Sequence, residues 1–360
     1  MSASRELLDL PVALAEALDA LRLRGVPFLA TPAATRLELD IAAALEAFAE
    51  PEQTGSIDRI EGDRIGPHAF DPAADRGDTA IRYFLDGVQR TFPLGWSGMC
   101  SLALAVVVSG VIERRPQDGV IRAVHGHTTV KALVVIVAPP GDARADALED
   151  AFLGARFAVQ RCPENGKDFA RPDDYLALRG CFRAAVSGFR AQCEYDTFST
   201  WQGYALAAPA WLVVDGRLAD SATPYALGLI KQHNRFDFTG AEMVALLALP
   251  VGQRSTAFRR RTASNNRPTT TWYLRLHAAD GSDPLSGLVR VEAPAHVATT
   301  GAIDALTRAV YAERAPRAAD GRWPVLLYPI HLTERILKTK LDRATHRVPA
   351  TLRRYLREVV

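Results

Sequence analysis

Cysteine is scarce in this chain. The four in 360 residues, Cys100, Cys162, Cys181 and Cys193, form no CxxC pair. That spacing argues against structural zinc and against the disulfide framework of a small secreted domain, and it predicts a reduced, cytoplasmic setting. Long apolar runs are also missing. The most hydrophobic stretch, Ser101 to Ile112, is too short to span a bilayer. The opening MSASRELLDLPVALAEALDALRLRG lacks the basic-then-apolar order of a signal peptide, so no membrane partner is expected. Net charge is nearly absent: 43 Lys and Arg against 41 Asp and Glu leave +2. Any preference for nucleic acid must therefore come from local patches. GxSxG, a Walker phosphate loop and GxGxxG are all absent, so the chain carries no sign of binding nucleotide itself. Energy for moving a polymer substrate would have to come from another protein.

What is present is an ordinary globular composition, 48% hydrophobic and 23% charged, enough for a large core. Helical spacing of apolar residues predicts amphipathic helices over Arg5 to Leu23 and Leu37 to Phe48. Pro51 to Asp78 reads as a polar connection rich in Gly, Pro, Asp and Arg. Arg82 to Leu85, Ser101 to Glu113 and Lys131 to Ala138 read as strands of an antiparallel meander. Helices are expected over 144–159 and 173–201, then a strand at Trp211 to Val214. Further strands are expected at 225–231, 271–276 and 325–328, with helices at 240–249 and 303–313. The class is α/β. The boundaries drawn are an N-terminal helical extension and loop over 1–80, a catalytic-type domain over 81–340, and a helical tail over 341–360.

Two strand ends carry the chemistry. YFLDGV (Tyr83 to Val88) and WLVVDGRL (Trp211 to Leu218) each run buried-type residues into Asp-Gly. One such end is a common turn or helix cap. Two ends in one sheet would set Asp86 and Asp215 side by side, where they repel unless a cation lies between them. Hard oxygen ligands suit magnesium or manganese, the ions of phosphodiester cleavage. A third acid is expected from FRAQCEYDTF, either Glu194 or its close competitor Asp196.

The ordered series Asp86-Gly87, Arg190 with Glu194, Asp215-Gly216 with Leu218, Lys231 in LGLIKQHNR, and Tyr328-Pro329 with Leu332 resembles the NurA family of DNA-end-processing nucleases. It covers roughly Tyr83 to Lys338. The resemblance implies an RNase H-like mixed sheet flanked by helices, with N- and C-terminal helical extensions. It also implies a manganese-dependent deoxyribonuclease, a homodimer, and partnership with a HerA-type hexameric ATPase. It assigns Asp86, Glu194 and Asp215 as metal-binding and catalytic carboxylates and Tyr328 as the family tyrosine. The family commonly carries a histidine two turns past Tyr-Pro; here YPIHLTERILK puts Ile336 at that spacing, leaving His331, Glu334 or another residue to take its place.

In the mechanism so implied, the carboxylates hold one or two Mn2+ or Mg2+ ions that activate a water for in-line attack on phosphorus, and Lys231 neutralises charge on the phosphate. Lys231 equally reads as a solvated lysine closing a strand. Lys231, Arg235, Arg259, Arg260, Arg261 and Arg267 offer phosphate donors from KQHNR, FRRR and SNNRP, read as loops. Phe236, Phe238 and Trp272 would stack on unpaired bases. The triple arginine would suit an acidic partner surface as well. His125 and His127 share a strand face, read as an exposed strand edge in preference to a metal pair. The basic C-terminal helical stretch reads as a dimer or partner surface, or as a helix packed on the parent domain. The expectation is a DNA nuclease acting in repair or anti-phage defence. The rival is a catalytically weakened DNA-binding or scaffold subunit of the ATPase complex, and a third reading is an enzyme on RNA or hybrids.

Overall fold

The computed structural model describes residues 9–30, 56–74, 80–115, 117–139, 141–162, 175–205, 210–218, 223–233, 236, 238–262, 265–279, 283–316 and 322–358. The chain is α/β: one thirteen-stranded mixed sheet with helices on both faces. Its centre is a meander of three long strands, β4 (Ile81–Ser97), β5 (Cys100–Arg114) and β6 (Ile121–Val137), each antiparallel to the next. The run of Val, Ile, Leu and Ala in β5 is buried on both faces, which an interior strand requires.

Preceding these are β1 (Leu29–Ala30), β2 (Ser56–Arg59) and β3 (Pro67–Ala69); following them are β7 (Ala158–Cys162), β8 (Trp211–Asp215), β9 (Ala226–Ile230), β10 (Gln253–Ser255), β11 (Phe258–Thr262), β12 (Asn265–Arg275) and β13 (Leu288–Pro294). The main order across the sheet is β2-β11-β12-β13-β9-β8-β4-β5-β6-β7. The β4–β8, β8–β9 and β6–β7 pairs are parallel.

Among the described residues the helices are α1 (Leu10–Leu23), α2 (Ala143–Gly154), α3 (Tyr175–Ala205), α4 (Gly240–Leu247), α5 (Thr300–Ala312), α6 (Tyr328–Thr345) and α7 (Val348–Glu358). In α3 the buried residues Val186, Cys193, Thr197 and Trp201 lie seven, four and four residues apart, a helical repeat, and form the face laid on the sheet. Leu14 and Leu18 of α1, Leu337 and Leu341 of α6, and Val348 and Leu352 of α7 share one apolar core with Leu104 and Val106 of β5. Both ends of the described chain are thus packed on the sheet. No described helix is long and apolar enough to cross a membrane.

Several expectations change. The helix expected over 144–159 stops at Gly154; Arg156 adopts φ +66, and 158–162 turns into β7 beside β6. No strand forms over 325–328: a 3-10 turn ends at Val325, Leu327 makes an isolated bridge to Arg314, and Tyr328 opens α6, whose first turn holds Pro329, a residue with no N–H to lose there. The polar connection contains β2 and β3, and β13 was not anticipated. The helix expected over 37–48 lies outside the described residues. Near β3, Arg254 is fully buried. Its guanidinium donates to Glu61 at 2.6 and 2.9 Å and to Asp304 at 2.7 Å, tying the 61 region to α5.

Candidate functional site

The parallel register between β4 and β8 sets the site. Leu85 lies opposite Val214, the last such pair, and the next residue on each strand is an aspartate, Asp86 and Asp215. β8 ends there while β4 runs on, so the two acids stand where the strands part. Asp215 lies at the carboxyl end of a parallel strand, the edge at which open α/β sheets bind ligands, whereas Asp86-Gly87, expected as a strand end, lies within β4, which continues along β5 to Ser97. Asp86 is 3% exposed, and one of its oxygens accepts the Gly87 N–H at 2.7 Å.

Glu194 arrives from α3. Arg190 and Glu194, one helical turn apart, form an ion pair at 2.7 Å, and Arg190 also reaches Asp86 at 3.5 Å. Glu194 presses on the strand at Gly87, where an added β-carbon would lie 2.8 Å from its Cγ and 2.9 Å from its Cδ. The first Asp-Gly is therefore set by close approach of a side chain. The second is set by the backbone: Gly216 has φ +136, strained for any residue with a side chain. Lys231, just past the end of β9, closes the group with an ion pair to Asp215 at 2.7 Å, both side chains largely buried.

Electrostatically the three acids sense one another. Burial pushes the Asp86 carboxyl up to about 8; Asp215 adds to the rise, Arg190 and Lys231 oppose it, and Glu194 adds a smaller push. Burial also raises Glu194, with Arg190 opposing and Asp215 adding. Burial works against charge on Arg190, but Glu194 and Asp86 more than offset it, so its guanidinium is held more firmly protonated than usual. Asp196, the competitor of Glu194, is taken up elsewhere. It pairs with Lys131 and Gln192, and the lysine holds its carboxyl below the usual range.

Carboxylate oxygens are the donors that suit a hard divalent cation. Among the described residues, however, no three His, Cys, Asp or Glu side chains are grouped for a metal ion. Arg190 and Lys231 supply counter-charge to the three acids. As it stands, the group can hold a proton on a buried acid beside neighbouring carboxylates, the configuration of a paired acid and base.

The other expected residues lie in different surroundings. Tyr328 is 44% exposed and stacks with His331, ring centroids 6.5 Å apart. It lines a cleft of about 600 Å³ with Arg114, Leu332, Arg335 and Ile336. Glu334 pairs with Arg322 and Lys338, each at 2.8 Å. Among the basic residues, FRRR is strand β11 rather than a loop: Arg260 is 3% exposed and turned inward, Arg259 is half-buried, and Arg261 is exposed, 3.9 Å from Asp58. Arg235 and the side chain of Arg267 lie outside the described residues.

The aromatic platform is also corrected. Trp272 is fully buried, Phe238 is buried against Phe258 at 5.0 Å, and Phe236 is half-buried beside Tyr273. His127 lies on β6 where its register with β5 shifts, but it is only 8% exposed, and burial lowers its pKa; the side chain of His125 is not among those described.

The sequence reading missed Arg290 and Glu292 on β13, both buried. Two charges alternating within LVRVEAP were the available signal. No model of a known protein family matches the chain, and no curated protein matches it.

Proposed function

We propose that this chain is a divalent-metal-dependent deoxyribonuclease of RNase H-like architecture, resembling NurA nucleases. It acts on DNA ends or single strands as a homodimer together with a HerA-type hexameric ATPase. The observation that carries this reading is that Asp86 and Asp215 directly follow the last register pair of β4 and β8, while Arg190 bonds Glu194 and reaches Asp86. Mn2+ or Mg2+ held by Asp86, Glu194 and Asp215 would supply Lewis-acid chemistry for phosphodiester hydrolysis.

The chain's own groups do the remainder. Lys231, released from Asp215, meets a phosphate oxygen, and Arg190 holds Glu194 toward the notch. Arg259 and Arg261 on β11 steer the DNA backbone. Tyr328, beside His331, meets DNA at the cleft mouth.

The test is the purified full chain with linear single- and double-stranded DNA in Mn2+, Mg2+ or EDTA. Cleavage that needs metal and falls at least ~100-fold in Asp86→Ala and Asp215→Ala is expected, the scale of removing one essential stabilising group. Metal-dependent cleavage that survives both substitutions sinks the site. A second reading is favoured by the ion pairs at the notch, since Arg190 and Lys231 already engage all three carboxylates. In it the chain is a DNA-binding or scaffold subunit of the ATPase complex, and binding without cleavage in either metal selects it. RNA and hybrid substrates in the same assay test the third possibility.

A further inference from the structure

We propose that Glu292 is a positioning residue for Asp215, orienting its carboxylate toward Asp86 and Lys231; this rests on the reading of Asp215 as a functional acid. Every residue of β13 is buried, and Val289, Val291 and Ala293 face an apolar core. On the opposite face the strand places Arg290 and Glu292 at 0% and 3% exposure. One oxygen of Glu292 accepts from Arg290 at 3.2 Å, and the other accepts the Leu218 N–H at 3.1 Å, across 74 residues of sequence. That amide belongs to the turn that leaves Asp215.

Two further attachments fix the same turn. The Gly216 N–H donates to the Leu229 carbonyl at 3.0 Å. Gly228, opposite Glu292 in the register, supplies a bare surface: a β-carbon there would lie 2.5 Å from the Leu218 nitrogen and 2.8 Å from the Gly216 oxygen. A missing side chain lets the turn lie flat on β9, and a buried carboxylate reaches past it to grip the turn. Buried ion pairs are costly, and apolar residues of equal volume often stabilise as well. The directional bond to Leu218 is what an apolar pair would not provide.

The experiment uses the full chain and its Glu292→Leu, Glu292→Met and Glu292→Gln variants, each checked for native circular dichroism. In metal-free protein, acylation of Lys231 by acetic anhydride, read by mass spectrometry, reports whether Asp215 still holds it. Labelling is expected to rise about tenfold in Leu or Met, equivalent to loss of ~1.4 kcal/mol of pairing, and to stay near wild type in Gln, which keeps an acceptor for Leu218.

Unchanged Lys231 labelling in a folded Leu or Met variant overturns the inference. Calorimetric titration with Mn2+ alone is the second arm. Affinity is expected to fall ~10–100-fold in Leu or Met, the usual cost of losing an outer-shell partner. Absence of Mn2+ binding in the wild type would overturn the metal reading while the labelling result still decides the role of Glu292.

Discussion

Replacing Asp86 with asparagine should stabilise the metal-free protein, and the gain should grow with pH. The carboxyl is 3% exposed and titrates near 8 in the fold, against 3.8 as a free aspartate. Burial is the main cause and Asp215 the next. A group whose folded pKa is raised favours the native state fully below its unfolded pKa, and that contribution drains away as pH rises through the folded pKa. The window here is about pH 4 to 8. At ~1.4 kcal/mol per unit the ceiling is about 6 kcal/mol; relaxation of the coupled carboxylates and entry of water reduce it to about 2–3 kcal/mol.

Asparagine fills nearly the same volume without the charge. Thermal and urea unfolding of wild type and Asp86→Asn in EDTA, at intervals from pH 4.5 to 8.5, measures the difference directly. The variant should be close to wild type at the acid end and about 2–3 kcal/mol more stable at pH 8.5. A difference that does not change with pH, or a wild type that gains on the variant as pH rises, would refute the burial argument. Mn2+ at pH 8 should raise the wild-type melting temperature and leave the variant nearly unmoved.

Gly87→Ala pushes a β-carbon against Glu194; we expect a loss of about 1–3 kcal/mol in urea unfolding from overpacking, and an unchanged midpoint would show that α3 yields freely. Lys231→Met removes the cation from Asp215 and should cost about 1–3 kcal/mol without metal, below the 3–5 of a fully buried pair because both side chains retain some exposure. Mn2+ should restore more melting temperature to this variant than it adds to wild type, and equal increments would count against competition for the notch. Arg254→Met leaves Glu61 and Asp304 without their buried guanidinium and should cost about 3–5 kcal/mol. Burial tends to raise the Glu61 carboxyl, but Arg254 and Thr300 hold it down to about 2. In wild type its contribution is present above about pH 4.5 and lost as pH falls toward 2; acid titration of unfolding should show that loss in wild type and not in the variant.

What was legible in the chain was whatever depends on local pattern. Runs of Val, Leu and aromatics bounded by Gly, Pro and polar clusters marked the meander of β4, β5 and β6, and helical spacing marked α1 and most of α3. The two Asp-Gly pairs could be read because each follows an apolar run, and parallel register set the two acids after one register pair; only the second ends its strand, since β4 continues to Ser97. Ala158 and Val159 looked helical because the strand state of 158–162 comes from pairing with β6, which periodicity does not encode. Arg260 and Trp272 looked available for DNA because strand direction, not residue type, decides which face a side chain joins. Glu292 was invisible for a related reason: its partner, the Leu218 amide, is a backbone group 74 residues away.

The charges at the notch indicate what a bound cation would change. Three carboxylates face two permanent cations, and a proton on Asp86, favoured below about pH 8, brings the group to neutrality. A neutral, largely buried notch has little attraction for a phosphodiester. A divalent ion that displaces the Asp86 proton would leave the same five side chains with a net charge of +1, matched to one phosphate. Metal binding should therefore release about one proton near pH 7, because ligating carboxylates must be deprotonated. Calorimetric titration of Mn2+ in buffers of different ionisation enthalpy measures that number. Binding with no proton release would mean that Asp86 was already ionised, and that Arg190 and Lys231 neutralise it more fully than its burial allows.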